Sequence, residues 1–199
     1  MTRTLNLEAR DKILEAALKL IHGRGFRDVS MDDVAESAGL KKANLFHYYP
    51  TKEQLGLAAL ERAIHQQREK VAERFSRSVG DPIRTVQEMF AETAEGMRRS
   101  GCLKGCLLGN LAQELSDHDE KFRGPLNEYF GFWAGEIADM LERSRRGGYF
   151  KKGLKPREAA GAILSLFEGA MTLCKAKKDP EALVSAGRMA VGYLQLYKA

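Results

Sequence analysis

With 199 residues the chain has material for one large domain, or a small one joined to a larger, and ample apolar side chains for a core. Its 32 Lys and Arg against 27 Asp and Glu give a formal charge of +5, an excess that permits nucleic-acid binding without requiring it. Three cysteines at no metal-ligand spacing and no apolar signal segment argue against a disulfide scaffold and for a reducing cytoplasm, and no apolar run approaches the roughly 20 residues that crossing a bilayer takes.

Residues 1–6 are expected to form a loose arm. The first helix is read from about Leu7 to His22, because Ile13, Leu14, Ala17, Leu18 and Ile21 recur at helical spacing and Gly23 and Gly25 end it. Phe26 and Val29 complete a small core. Ser30 then caps a short helix, with Asp33 closing an S-x-x-D box and Val34 and Ala35 facing inward. Gly39 supplies a turn, since glycine adopts a left-handed backbone at little cost, and Leu40 fills the gap behind it. A second short helix over Lys42 to Tyr48 buries Leu45 and Tyr49, leaving Lys41, Lys42, Ala43, Asn44, His47 and Tyr48 outward. A small helix with a basic, polar N-terminal end, braced by another across a glycine turn, is the helix-turn-helix arrangement that enters a DNA major groove.

Thr51 and Gln54 form a second capping box, opening a helix that keeps helical composition to about Val79 and would span roughly 40 Å, longer than the small domain itself. Gly80-Asp81-Pro82 breaks it. Pro82 to Arg99 is a helix marked by Ile83, Val86, Phe90 and Met97, and a short buried helix follows, entered through Gly105 and carrying Leu107, Leu108, Leu111, Ala112 and Leu115. The next helix has the stripe Phe122, Leu126, Phe130, Trp133, Ile137 and Leu141, with Pro125 inside it implying a kink or a later start. Tyr149 to Lys155 is a basic loop. Pro156 suits the first turn of a helix with Ala160, Ile163, Leu164, Phe167 and Met171 inward; Asp179-Pro180 opens the last, with Leu183, Met189, Ala190, Tyr193, Leu194 and Tyr197. No strand pattern appears, so the reading is all-α with about nine helices.

The N-terminal third resembles the TetR family of bacterial transcriptional regulators: Gly25-Phe26, Ser30, Asp33-Val34-Ala35, Gly39, Phe46-His47-Tyr48-Tyr49 and Lys52-Glu53 stand in the family's order and spacing. The resemblance implies a helix-turn-helix DNA-binding domain over residues 1–52 and a helical effector-binding and dimerisation domain over residues 53–199. It further implies a homodimer that binds a palindromic operator and leaves it when a small effector or thiol-reactive compound binds. Lys41 replaces the usual hydroxyl cap and Asn44 a usual small hydroxyl residue, so base preference does not carry over.

The candidate DNA-binding residues are Ser30, Lys41, Lys42, Ala43, Asn44, His47, Tyr48 and Lys52. His47, Tyr48 and Lys52 suit phosphate oxygens, which set register, whereas Asn44 and Lys42 suit base edges. The plain alternative for these charges is a solvated face. Candidate ligand-binding residues are Phe90, Met97, Cys106, Asn110, Phe130, Trp133, Phe167 and Met171, an apolar set that fits either a packed core or a cavity lining. Asn110, Glu114 and Glu168 either orient a ligand or reach solvent. Cys106 lies at a helix start beside Lys104, which favours thiolate, and its surroundings, with Lys175, resemble the electrophile- and oxidant-responsive members of the family; Cys102 or Cys174 would resolve an oxidised Cys106. The alternative for Cys106 is a small buried hydrophobe. No catalytic set, phosphate-cradling loop or His pair at metal spacing is present, so neither enzyme activity nor a metal or cofactor is expected. Two readings stand: a ligand-responsive DNA-binding repressor, or a helical small-molecule-binding or thiol-reactive protein without specific DNA binding.

Overall fold

The computed structural model describes residues 7–76 and 80–199, so the expected N-terminal arm and the approach to Val79 lie outside the described residues. Among the described residues are nine helices and no strand: α1 Leu7–Arg24, α2 Met31–Ser37, α3 Lys42–Tyr48, α4 Lys52–Ser76, α5 Pro82–Arg99, α6 Leu107–Leu115, α7 Glu120–Arg146, α8 Pro156–Lys177 and α9 Glu181–Leu196. One isolated antiparallel bridge pairs Phe150 with Lys198. The all-α expectation holds. The chain forms two compact units, one running to Gln66 together with Leu107–Leu126, the other combining Gln67–Cys106 with Asn127–Ala199.

In the first unit, Ile13, Ala17, Val34, Leu45 and Tyr49 are buried as read, and Val29 and Leu55 are buried with them. Ser30 caps α2 as read: its hydroxyl accepts from the Asp33 N–H at 3.1 Å, while the Ser30 N–H donates to the Asp33 carboxylate at 2.7 Å. Gly39 carries the turn at φ +68°, where a side chain would strain the backbone. Gly56 has a different role. A Cβ there would stand 2.3 Å from the Phe26 ring and 3.1 Å from Phe122, so only glycine lets these two rings meet at 5.2 Å over α4.

Glu114, on α6, is half-buried and spends its carboxylate on backbone. Its carboxylate accepts the Phe26 N–H at 2.9 Å and the Arg27 N–H at 2.7 Å, and the Arg27 guanidinium donates to the Glu114 carbonyl at 3.3 Å. These N–H groups belong to the turn after α1, opened by Gly25 at φ +87°. Two charge-assisted bonds thus fix α6 to the turn that precedes α2. Lys121 pairs with Glu53 in the same unit.

In the second unit α9 packs on α5 and α8, and Gly187 makes the closest approach: a Cβ there would lie 2.8 Å from the Phe90 Cβ. Asp81 caps α5 by accepting the Arg84 N–H at 3.0 Å, and takes the Tyr149 hydroxyl at 2.7 Å. The basic loop after α7 is tied to the C-terminus, with Lys151 N–H on the Tyr197 carbonyl at 2.7 Å and Ala199 N–H on the Tyr149 carbonyl at 3.1 Å.

Three details refine the expected helices. α7 starts at Glu120 and continues through Pro125, so the later start is not found; the proline lies in the second turn, where one missing N–H costs a single bond. Met189, one of the apolar residues named on the last helix, is exposed. α8 is long and apolar enough by length and composition to cross a bilayer, because residues on both of its faces are apolar; Ile163, Phe167 and Met171 are buried while Leu166 and Leu173 are open.

Two predictions follow from these contacts. Replacing Glu114 by Leu leaves the Phe26 and Arg27 N–H groups without their acceptor and should destabilise the protein by about 1–3 kcal/mol, measured by urea unfolding. The Ser30 hydroxyl and N–H, with Arg24, hold the Asp33 carboxyl at about 2 against its usual 3.8. Its contribution is therefore complete above 3.8 and lost as pH falls through about 2. The gap in thermal midpoint between the parent and Asp33→Ala should stay constant above that range and close within it.

Candidate functional site

α3 has one buried anchor inside it, Leu45, with Tyr49 buried immediately after, and everything else on it is turned away from the small core. Lys41, Lys42, Ala43, Asn44 and His47 are exposed, and Tyr48 is half-buried with its ring edge-on to His47 at 5.8 Å. Lys41 is the N-cap, in extended conformation with no side-chain cap, so its ammonium is left to project. Lys42 pairs with Asp32 of α2 at 2.8 Å and sits 5.9 Å from the Phe46 ring centre. Both members of that pair are well exposed, so the tie is worth at most about 1 kcal/mol and yields readily to a competing anion.

Lys52 and Ser30 are positioned more firmly. The Lys52 ammonium donates to the Arg27 carbonyl at 2.8 Å and lies 4.8 Å from the Phe26 ring centre, while Ser30 is committed to the α2 cap. Tyr49, just beyond α3, accepts from Arg10 Nε at 3.1 Å. The predicted set is therefore one exposed strip on α3 plus two flanking residues that also brace the frame. Asp32, as the counter-ion of Lys42, went unnoticed in the sequence, where the pair is ten residues apart with a glycine turn between.

The second candidate set divides. Phe90, Trp133 and Phe167 form one aromatic cluster, with Phe90 to Phe167 at 5.3 Å and Trp133 to Phe167 at 5.2 Å, and Tyr129 joins it 6.0 Å from Trp133. Met97 and Met171 are buried in the same unit, and Phe130 and Cys106 are half-buried there. Asn110 is half-buried on α6 in the first unit and does not belong to this cluster's unit. Tyr129 was missed, although it stands four residues before Trp133 and so on the same helical stripe.

This cluster carries polar groups. Burial pushes the Glu168 carboxyl above its usual range, and a hydrogen bond with Cys106 pulls it part of the way back. Burial also raises the Tyr129 hydroxyl, and the nearby Cys106 and Glu168 add to the effect. Trp133 Nε1 and one Glu168 carboxyl oxygen are buried with no hydrogen-bond partner. Apolar side chains around one unused donor and one unused acceptor have the composition by which small-molecule sites orient a ligand. Among the described residues no group of His, Cys, Asp and Glu is arranged to hold a metal.

Residues 82–189, more than half of the chain, match the family model described as transcriptional regulator LmrA/YxaF-like, C-terminal domain, and residues 13–59 match that of the tetR family of bacterial regulatory proteins. The transcriptional regulator AcuR of Cereibacter sphaeroides is 26% identical over 90% of this chain and 82% of its own length. The transcriptional repressor NemR of Escherichia coli is 23% identical over 94% of each chain. Among solved structures, a regulatory protein TetR from Rhodobacter sphaeroides superposes with a TM-score of 0.83 at 26% identity, covering 92% of this chain and 97% of its own. Reduced NemR of E. coli superposes with a TM-score of 0.84 at 22% identity, covering 96% and 97% respectively. With a matching DNA-binding domain before a matching C-terminal domain, this chain belongs to the TetR family of transcriptional regulators.

Proposed function

We propose that the protein is a homodimeric repressor that binds a palindromic operator through α3 and is released by a small effector. The observation that carries the DNA reading is the exposed strip Lys41, Lys42, Ala43, Asn44 and His47 on a helix whose other side is anchored by Leu45 and Tyr49. Lys41, His47, Tyr48 and Lys52 serve phosphates, and Lys42 and Asn44 serve base edges; the Asp32 pair with Lys42 opens when a phosphate or base replaces the carboxylate.

Dimerisation through α8 and α9 is supported by a groove of about 590 Å³ between them, lined by Leu166, Gly169, Leu173 and Ala182, with Met189 exposed further along α9. Two copies pairing there form a four-helix interface and place two α3 helices on successive major grooves roughly 34 Å apart. The aromatic cluster with Glu168 and Trp133 supports an effector that has an apolar body and both a hydrogen-bond acceptor and a donor. Cys106 beside Glu168 supports the variant of this reading in which a thiol-reactive compound is the signal. α4 supplies residues to both units, so an effector that binds the released conformation more tightly shifts the population away from the operator. Such a protein acts in the cytoplasm.

His47→Ala and Lys41→Ala should each weaken binding to every duplex and lower the slope of affinity against salt by about one ion, while Asn44→Ala should change base preference at one position. Electrophoretic mobility shifts across a salt series on DNA from the protein's own operon check this; unchanged binding in all three favours the reading without specific DNA recognition. In light scattering at micromolar concentration the parent should run as a dimer and Leu173→Glu with Met189→Glu as a monomer.

A further inference from the structure

Cys102 and Cys174 lie 72 residues apart in sequence, yet their sulfurs stand 3.3 Å apart, the Cys174 thiol donating to Cys102. Both are buried, and both belong to the second unit. The sequence offered each as a partner for Cys106; the fold pairs them with each other.

Their backbones are held from both sides. α5 ends in a Schellman turn, with Gly101 at φ +66°, its N–H on the Arg98 carbonyl at 3.1 Å and the Cys102 N–H on the Met97 carbonyl at 2.7 Å. Cys102 itself is held at φ +56°, a conformation that a non-glycine residue seldom adopts, and its carbonyl accepts from the Lys178 ammonium at 3.3 Å. Cys174 occupies the last turns of α8, where its carbonyl takes the N–H groups of Lys178 and Asp179. Lys178, at φ +57°, thus contacts both cysteines, through its backbone to Cys174 and through its side chain to Cys102.

A single buried cysteine in such a place is ordinary packing. Two thiols with sulfurs 3.3 Å apart are different, because a disulfide brings the sulfurs to about 2.05 Å and these already stand in contact. We propose that Cys102 and Cys174 are a reversible oxidation site that forms an intramolecular disulfide with a hydroperoxide as oxidant. We take Cys102 as the attacking sulfur because burial and contact with Cys102 keep Cys174 protonated, and the Cys174 thiol donates to the Cys102 sulfur. Cys102 gives up its proton and attacks a peroxide oxygen. The O–O bond breaks, the leaving oxygen takes that proton and departs as an alcohol or water, and a sulfenic acid remains. The Cys174 sulfur then attacks the sulfenic sulfur; the S–O bond breaks and hydroxide leaves with the Cys174 proton as water. Two thiols lose two electrons and two protons, and the hydroperoxide is reduced.

Burial sets the selectivity. Two buried sulfurs call for a small uncharged oxidant such as a peroxide, whereas bulky or charged thiol reagents meet half-buried Cys106 first. Closure ties the segment between α5 and α6 covalently to the end of α8, so the modification fixes the stretch from which α6 begins.

The test uses full-length Cys106→Ser protein, which removes the competing thiol. The reduced protein is treated with hydrogen peroxide while native, freed of oxidant, alkylated with N-ethylmaleimide in denaturant, and read by intact mass and by peptide mapping without reductant. The expected result is a fall from two adducts to none, a linked peptide pair containing Cys102 and Cys174, and recovery of both adducts after dithiothreitol. Cys102→Ser and Cys174→Ser, each in the same background, should give no linked pair. The oxidised protein should also melt several degrees above the reduced one, since the cross-link restricts the unfolded chain. Two adducts persisting at a peroxide dose that oxidises free cysteine in the same buffer overturns the proposal, as does a linked pair that forms only when peroxide is added to unfolded protein.

Discussion

The seven residues of α3, Lys42–Tyr48, are too few to persist alone, since isolated helices shorter than about 12–15 residues are marginal in water, so the outward strip has a defined shape only because tertiary contacts impose it. Leu45 and Tyr49 are the grips. They work because α2 is fixed by the Ser30 and Asp33 box, because Gly39 turns the chain between α2 and α3, and because the turn before α2 is clamped by Glu114. The clamp is asymmetric in a useful way. A carboxylate that accepts two backbone N–H groups resists displacement in water far better than the exposed Lys42 and Asp32 pair, so the frame stays fixed while the outward face of α3 remains free to exchange partners.

How far the sequence was legible follows from the distance over which each feature is encoded. The α2 cap, the Gly39 turn, the Leu45 anchor and the Pro82 start of α5 depend on residues a few positions apart, and each was visible as a local pattern. Glu114 was not. Its partners lie 88 and 87 residues away, and a glutamate on an apolar helix looks the same whether it meets solvent, a ligand or a backbone turn. Cys102 and Cys174 illustrate the same limit at a separation of 72 residues, since spacing favoured Cys106 as the neighbour of Cys102 while the Schellman turn directs Cys102 elsewhere. Pro125 left a kink and a later start open, and the helix keeps its early start because a proline in the second turn removes only one bond, less than the burial of Phe122, Leu126 and Tyr129 returns.

The exposed Met189 on α9 and the open leucines of α8 belong together. A periodicity argument assigns one inward face to each amphipathic helix, and α8 has apolar residues on two: Ile163, Phe167 and Met171 inside, Leu166 and Leu173 outside. Such a helix passes a length-and-composition test for crossing a bilayer. Gly169 between the outer leucines, Ser165 beside them and Ala182 on α9 line that face with small side chains, and Lys177, Asp179 and Glu181 line it too. Polar ends around small and branched apolar residues are the composition of a helix-helix interface, which is why the dimer reading accounts for α8 with no appeal to lipid.

The polar atoms in the aromatic cluster bear on how an effector would be told from other apolar compounds. Leaving the Trp133 N–H and a Glu168 oxygen buried and unpaired costs about 1–3 kcal/mol each, against a total stability of about 5–15 kcal/mol for a protein of ordinary size. A purely aromatic lining of Phe90, Phe167 and Trp133 would accept many apolar molecules of similar size with little discrimination. With the two unpaired atoms present, a ligand that brings an acceptor to Trp133 and a donor to Glu168 regains the cost, whereas an apolar molecule of the same shape leaves it in place. That difference is the free energy by which a matching effector, and not any greasy compound, can favour one conformation of the protein over another.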